Sequence, residues 1–315
     1  MTAKLIIDTD PGIDDAMAIH MALAHPQIEL VGLTSIFGNV HVDKATRNAL
    51  ALVEMAGSDI PVAEGAAAPL VQPLHPPAYF VHGPEGFGEL PAFAPTRAPD
   101  HRSAAEFIVE EINAAPGQIT LCPVGPLTNI ALALRLDPSI NGKVREVVIM
   151  GGAIEAPGNV TTFAEANIWN DPHAAAEVLS AGWPMTLIGL DVTEKSRCSP
   201  EDFAAVATAS PLIGGFLNGA VQFYFDWHRK KEVLDGCFLH DPSAVLACVE
   251  PHHFTFRDGP VRVVTEGEEI GRTVHDPSAG SRPVKQALDV DAATVAARFL
   301  EITATADARR ASRKT

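Results

Sequence analysis

The chain of 315 residues is 47% hydrophobic and carries a formal net charge of −16, enough for a full-sized core and the wrong sign for nucleic acid or anionic membrane as partners. No apolar run reaches the length of a bilayer span, and the opening MTAKLIID lacks the basic start and long apolar stretch of a signal peptide, so a cytoplasmic protein is expected. Cys122, Cys198, Cys237 and Cys248 are scattered without CxxC spacing and read as buried thiols rather than disulfides or a zinc site.

In chain order, KLIIDTD (4–10), ELVGLTSIF (29–37), ITLCPVG (119–125), VREVVIMGG (144–152) and PMTLIGLDV (184–192) are short, nearly continuous apolar runs bounded by Gly, Pro or polar residues. That is the pattern of strands buried on both faces. Segments with helical spacing alternate with them: DDAMAIHMALAHP, HVDKATRNALALVEMAG, SAAEFIVEEINAA and DPHAAAEVLSAG, the last with an Asp171-Pro172 start and Gly182 just past its end. The alternation predicts an α/β fold: one domain over 1–315, with an open, mostly parallel sheet and helices on both faces.

Two stretches interrupt the rhythm. Residues 73–100 are dense in Pro and Gly with a few aromatics, and read as a lid. Residues 215–236 read as a helix with an aromatic side and then a mobile turn. The C-terminal third adds short strand-like runs (VRVVT, GRTVHD) and a closing helix near 290–304. The basic cluster RRASRK (309–314) reads as part of a solvated tail, 306–315.

Asp8, Asp10, Asp14 and Asp15 crowd the turn between the first strand and first helix, IIDTDPGIDDAMAI. A dinucleotide fold carries a glycine-rich phosphate loop at this place; DPGIDD repels phosphate and attracts a cation. One such acid would be explained as a helix cap or dipole partner. Three converging acids with no nearby Cys or His cluster point instead to a hard ion with oxygen ligands, calcium or magnesium. A further ligand is sought at another strand end, and HDPSA occurs twice, at 240–244 and 275–279. The first copy precedes an apolar helix and the second runs into a loop, 275–282; the string alone does not choose between them. Asn159, Glu165 and Asn167, in a Gly-rich stretch after the fourth strand, are groups that can grip vicinal hydroxyls or serve an ordinary polar loop.

DTDPGIDDA (8–16) closely resembles the opening signature of the nucleoside hydrolases of the inosine–uridine-preferring type. The resemblance continues, in order, through FGN (37–39), HGPEGFG (82–88), GPLTNIALAL (125–134), MGG with GN and AEANIWNDP (150–172), and HDP (240–242). It implies a Rossmann-like core, ribonucleoside hydrolysis, and calcium on Asp10, Asp15, Asp241 and the backbone carbonyl of Val124. It further implies ribose hydroxyls on Asp14, Asn39, Asn159, Glu165 and Asn167, His240 facing the base, and His82 on an exposed loop above it. Asp8 then supports the turn from behind, and a homo-oligomer, dimer or tetramer, is expected. By this carry-over Asp10 takes the proton of a calcium-activated water and His240 assists departure of the base. The resemblance departs at Ala166, where the family often has an aromatic residue, which leaves base preference open. Phe163, Phe223, Tyr224, Trp227 and His228 are candidates for a base-stacking wall, or for core and lid packing.

Two other readings are ranked behind this one. IIDTDPG superficially matches the DxD strand end of haloacid-dehalogenase-like phosphatases, but Gly12 stands where that family has Thr or Val, and the DD pair opposes phosphate. A calcium-dependent nucleoside or sugar binder without turnover would need neither Asp10 as a base nor His240 as an acid.

Overall fold

A computed structural model describes residues 2–231, 233–278 and 282–313. Strand β1 (Ala3–Thr9) leads into helix α1 (Ile13–Ala24), followed by β2 (Ile28–Ser35), α2 (Val42–Met55) and the short β3 (Val62–Glu64). A long irregular segment holds one helical turn, α3 (Tyr79–His82), before α4 (Ala104–Ala114), β4 (Ile119–Pro123), α5 (Thr128–Leu136) and β5 (Glu146–Met150). Then come α6 (Ala166–Asn170), α7 (Pro172–Ser180), β6 (Met185–Ile188) and the turn α8 (Leu190–Thr193). The small strands β7 (Arg197–Cys198) and β8 (Cys237–Phe238) bracket α9 (Pro200–Ala209) and α10 (Ile213–Lys231). The chain closes with α11 (His240–Ala247), β9 (Phe254–Gly259), β10 (Val261–Val263), β11 (Thr273–His275), β12 (Val284–Val290), α12 (Ala292–Thr303) and α13 (Ala306–Arg313).

Among the described residues, eight strands form one sheet in the order β3-β2-β1-β4-β5-β6-β12-β9, parallel except at the β12–β9 edge. Leu5 and Ile7 of β1 face a core shared with α1, α10, α11 and α12, while Ile6 faces a second core built on α4, α5 and α7. A strand buried on both faces needs apolar residues at successive positions, which is why β1 lacks polar alternation. β1 pairs with β2 on one side and β4 on the other, so strand order reverses there. The crevice beyond the carboxyl ends of β1 and β4 is therefore the switch point at which open α/β sheets take ligands.

The C-terminal third departs from expectation. β9 and β12 join the main sheet, where only short runs and then a helix are expected. Lys285, Gln286 and Asp289 break the apolar run of β12, yet Gln286 is buried because its amide donates to the Gly259 carbonyl at 2.8 Å. β6 stops at Ile188, short of the expected 192, and Gly189 caps the turn α8. The expected solvated tail is helical through Arg313. Arg310 Nε donates to the Met55 carbonyl at 2.8 Å, and the Arg313 guanidinium donates to the carbonyls of Ala56 and Leu23. These arginines satisfy orphan carbonyls at the ends of α2 and α1, which is where cations are favoured on helices. Lys314 and Thr315 of that tail, Glu232 of the expected mobile turn and 279–281 of the expected loop lie outside the described residues. No described helix is long and apolar enough to cross a membrane.

At the far end of α1 a polar cluster ties this helix to α12. His25 Nδ1 accepts from the Gln27 amide at 3.0 Å, leaving its other ring nitrogen to donate to Glu250 at 3.3 Å. Arg298 and His253 also donate to Glu250. Burial opposes ionisation of Glu250, but hydrogen bonds from Arg298, His25 and His253 outweigh it and hold the carboxyl down at about 2. A carboxyl lowered on folding stabilises the fold above its unfolded pKa, and that stability is lost as pH falls towards 2. Glu250→Gln is therefore expected to cost about 2 kcal/mol near neutrality. The melting-temperature gap to the parent should close as pH drops below the ordinary glutamate range; a gap independent of pH would contradict this.

Candidate active site

The acidic turn is held open by its own backbone contacts. Gly12 caps α1 and Asp15, at the third helical position, accepts from the Gly12 amide at 2.9 Å, so the capping explanation holds in part for Asp15. Asp15 also accepts from Thr9 Oγ1 at 2.5 Å, from the Asp10 amide at 3.2 Å and from Asn39 Nδ2 at 3.0 Å. Asp10 accepts from the Asn39 amide at 2.6 Å through Oδ2, while its Oδ1 is buried without a partner. Two glycines wedge this carboxylate: a Cβ on Gly38 would collide with it, and a Cβ on Gly125 would lie 2.7 Å from Oδ1. Asp8 stands behind, accepting from Thr34 Oγ1 at 2.6 Å and Asn129 Nδ2 at 2.7 Å, its carboxyl raised by burial to about 7.

One oxygen each from Asp14, Asp15 and Asp241 lie within 4.8 Å of one another, all buried. Asp14 Oδ1 has no hydrogen-bond partner, and His82 Nδ1 lies 3.8 Å from it. Burial, with Asp15 and then Asp14 adding repulsion, pushes Asp10 well up; burial lifts Asp14 to about 6. Burial also raises Asp15, with repulsion from Asp14, and raises Asp241 well up, with repulsion from Asp14, Asp15 and Asp10. Buried carboxylates this close are tolerable only if protons or a cation offset their charge. All of the donors are hard oxygens and two point nowhere else, a set that suits calcium.

Above the cluster opens a cavity of about 490 Å³. Of the expected site residues, Asp14, Asn39, His82, Val124, Asn159, Glu165, Asn167, His240 and Asp241 line it, whereas Asp10 and Asp15 do not. The HDP copy at 240–242 is thus at the cavity, and Asp276 instead pairs with Arg262 and Ser278 at a surface turn. Glu165 is committed to backbone: it caps α6 by accepting from the Asn167 and Ile168 amides and also takes the Gly152 amide. The Asn167 amide group donates to the Val124 carbonyl at 2.9 Å, and Asn159 Oδ1 accepts from the Ala166 amide.

The histidines differ from expectation. His82 is not on an exposed loop: it ends α3, is 6% exposed, and its Nδ1 accepts from the Ile13 amide at 3.2 Å. Burial lowers it to about 4, and with Nδ1 accepting it presents Nε2–H. His240 Nδ1 meets Thr193 Oγ1 at 2.8 Å; burial, then His228 and His82, lower its pKa to about 3. Both rings are therefore neutral. The aromatic candidates divide: Tyr224, Trp227 and His228 line the cavity, Phe223 packs beside Gly88, and Phe163 lies under the Arg272 guanidinium at the surface. The segment expected to be a lid is held to α10 by Phe87, whose ring meets Phe216 edge-on at 5.2 Å, and it leaves Phe80 exposed at the cavity rim.

Residues 5–297 match the inosine-uridine preferring nucleoside hydrolases. The chain belongs to that family. The hydrolase is 43% identical over 299 residues to uridine nucleosidase 1 of Arabidopsis thaliana, covering 91% of this chain and 89% of the relative. It is 42% identical over 297 residues to a non-specific ribonucleoside hydrolase of Salmonella paratyphi A, covering 92% and 95%. Among solved structures, a plant nucleoside hydrolase superposes with a TM-score of 0.94 at 38% identity, covering 96% of this chain and 99% of that one. The hydrolase is accordingly an N-ribohydrolase. Its sequence did not disclose Thr193 behind His240, or Asn129, whose amide ties Asp8 to the Ser35 carbonyl while its oxygen takes the Ala66 amide. Their partners are 47 to 121 positions away, and no local pattern marks such contacts.

Proposed function

We propose that this hydrolase cleaves the N-glycosidic bond of ribonucleosides, giving ribose and free base, with calcium held by Asp10, Asp15, Asp241 and the Val124 carbonyl. The observation that carries the reading is the buried cluster of Asp14, Asp15 and Asp241, with unpartnered oxygens on Asp14 and on neighbouring Asp10, beside a cavity that His82, His228 and His240 also line. When bound, calcium supplies a Lewis-acidic centre that eases deprotonation of water and draws in vicinal hydroxyls. Asp10, wedged and raised in pKa, is the acceptor for the water's proton. Asp14 sits on the cavity wall with an open oxygen and takes a ribose hydroxyl, with Asn39, Asn159, Glu165 and Asn167 around the sugar. The carboxylates together favour the positive charge that develops on the ribosyl ring as the bond breaks. His82, neutral with its Nδ1 accepting, offers an Nε2–H that disperses charge on the departing base rather than delivering a full proton, and His240 does the same in the tautomer whose Nδ1 accepts from the Thr193 hydroxyl. A 2′-hydroxyl is part of this grip, so ribonucleosides should outpace deoxyribonucleosides. The names of the relatives make uridine the first substrate to try, and a cytoplasmic homo-oligomer remains our expectation from family resemblance.

The test is ribose release from uridine, cytidine, inosine, adenosine and guanosine, with calcium and with chelator. Hydrolysis that chelator removes and calcium restores is expected. Turnover unaffected by thorough chelation would overturn the metal assignment, and no release from any of the five would overturn the substrate class.

A further inference from the structure

The loop that leaves β5 carries Asn159 to the cavity, and a buried carboxylate outside the cavity lining grips that loop. Asp191, on the turn α8, is 7% exposed. Its Oδ2 accepts from the Ile154 amide at 2.9 Å, and its Oδ1 from the Glu155 and Ala156 amides at 2.7 and 3.0 Å. Residues 154–156 belong to no helix or strand, and Glu155 is itself exposed. Three successive N–H groups turned towards one point form a nest for an anion, and bonds to a charged acceptor are stronger than neutral ones. The turn that bears Asp191 is itself fixed. All four of its residues are buried, the Leu190 amide donates to the Gly152 carbonyl at 2.9 Å, and a Cβ on Gly189 would lie 2.6 Å from that same oxygen. At its other end Thr193 meets His240. The loop is closed at its neck, where the Gly152 amide donates to Glu165 at 2.9 Å. Its returning limb is tied down by the Ala166 amide, which donates to Asn159 Oδ1. Its outgoing limb rests on Thr273, which bonds both the amide and the carbonyl of Ala153, and then on Asp191.

We propose that Asp191 is a positioning residue for sugar binding: by gathering the amides of residues 154–156 it sets where Asn159 stands at the cavity. The inference rests on the ribonucleoside reading, in which Asn159 meets the ribose. Ordering a loop costs conformational entropy. With Asp191 in place the cost is met on folding; without it, the cost falls on substrate binding. A grip on the sugar that is the same before and during bond cleavage acts on KM rather than kcat. Asp191→Asn keeps the shape of the side chain but not its function. One of its two oxygens becomes an amino group, which cannot accept and which faces an amide hydrogen.

The test measures kcat and KM of the calcium-loaded parent, Asp191→Asn, Asn159→Ala and the double variant, with whichever of the five nucleosides the parent cleaves fastest. Asp191→Asn should raise KM about tenfold and leave kcat within about threefold of the parent. Because Asp191 acts through the loop that bears Asn159, the double variant should fall well short of the product of the two single effects. A parent-like KM in Asp191→Asn overturns the inference, and so does a double variant that shows the full product. Amide exchange followed by NMR adds a readout that needs no substrate. In the parent, the amides of 154–156 should exchange at least about tenfold more slowly than that of exposed Thr162 on the same loop. Equal rates overturn the inference even if Asp191→Asn does not fold. In Asp191→Asn, exchange should quicken at 154–156 and keep the parent's rate in β1 and β4. Acceleration throughout the sheet marks general destabilisation and also overturns it. A parent that hydrolyses none of the five nucleosides, with 154–156 protected, overturns the ribonucleoside reading rather than the grip of Asp191 on the loop.

Discussion

Asp10→Asn should lower kcat by about 10²- to 10⁴-fold while the protein folds normally. The isosteric amide still accepts from the Asn39 amide at the position of Oδ2, so the wedge between Gly38 and Gly125 remains filled. What disappears is the ability to take a proton, together with the charge of one proposed calcium ligand. The same substitution should raise the melting temperature of the calcium-free protein. Asp10 Oδ1 is buried without a partner, and Asp15 and Asp14 both repel its charge. Replacing one uncompensated carboxylate by a neutral group relieves that repulsion. A drop in activity accompanied by higher metal-free stability is the signature of a site that sacrifices stability for chemistry. Parent-like turnover in Asp10→Asn would remove Asp10 from the reaction.

Calcium itself should stabilise the fold. A ligand at one hundred times its Kd adds about 2.7 kcal/mol, which for a chain of this size corresponds to a rise of about 5 °C in Tm. Asp241→Asn should abolish most of this rise, because Asp241 shares the buried cluster with Asp14 and Asp15. Asp276→Asn, which alters the other copy of the same short string, should leave it intact, since Asp276 faces Arg262 and Ser278 instead. Magnesium should give a smaller shift, as it surrenders its hydration shell reluctantly. A calcium shift that survives Asp241→Asn would place the ion elsewhere.

The fold was legible wherever burial on both faces forced a continuous apolar run. β1, β2, β4, β5 and β6 announce themselves in this way, and the helices between them carry caps such as Asp171-Pro172. β12 was not legible, because its buried Gln286 is satisfied by the Gly259 carbonyl, a partner 27 positions away. The tail was misread for a related reason. Six residues dominated by arginine look solvated until the carbonyl ends of α1 and α2 are seen to receive them. At the site, the spacing of Asp10, Asp14 and Asp15 was informative because repulsion among close acids demands a cause. Glu165 and Asp171 were harder. Asp171, read only as a cap for α7, is fully buried and also takes the Leu70 amide and the Thr128 hydroxyl, anchoring the chain that leads into the 73–100 segment.

The glycine wedge around Asp10 bears on how this enzyme can be changed. Gly38 and Gly125 present bare main chain to the carboxylate, and no side chain fits at either place. A mutational library aimed at the floor of the cavity would therefore return mostly dead clones. The rim is different: Phe80 and Val160 are exposed there, and Ala166 lines the cavity with a small side chain. New substrates should be reached by diversifying these three positions, with the chemical machinery inherited unaltered beneath them.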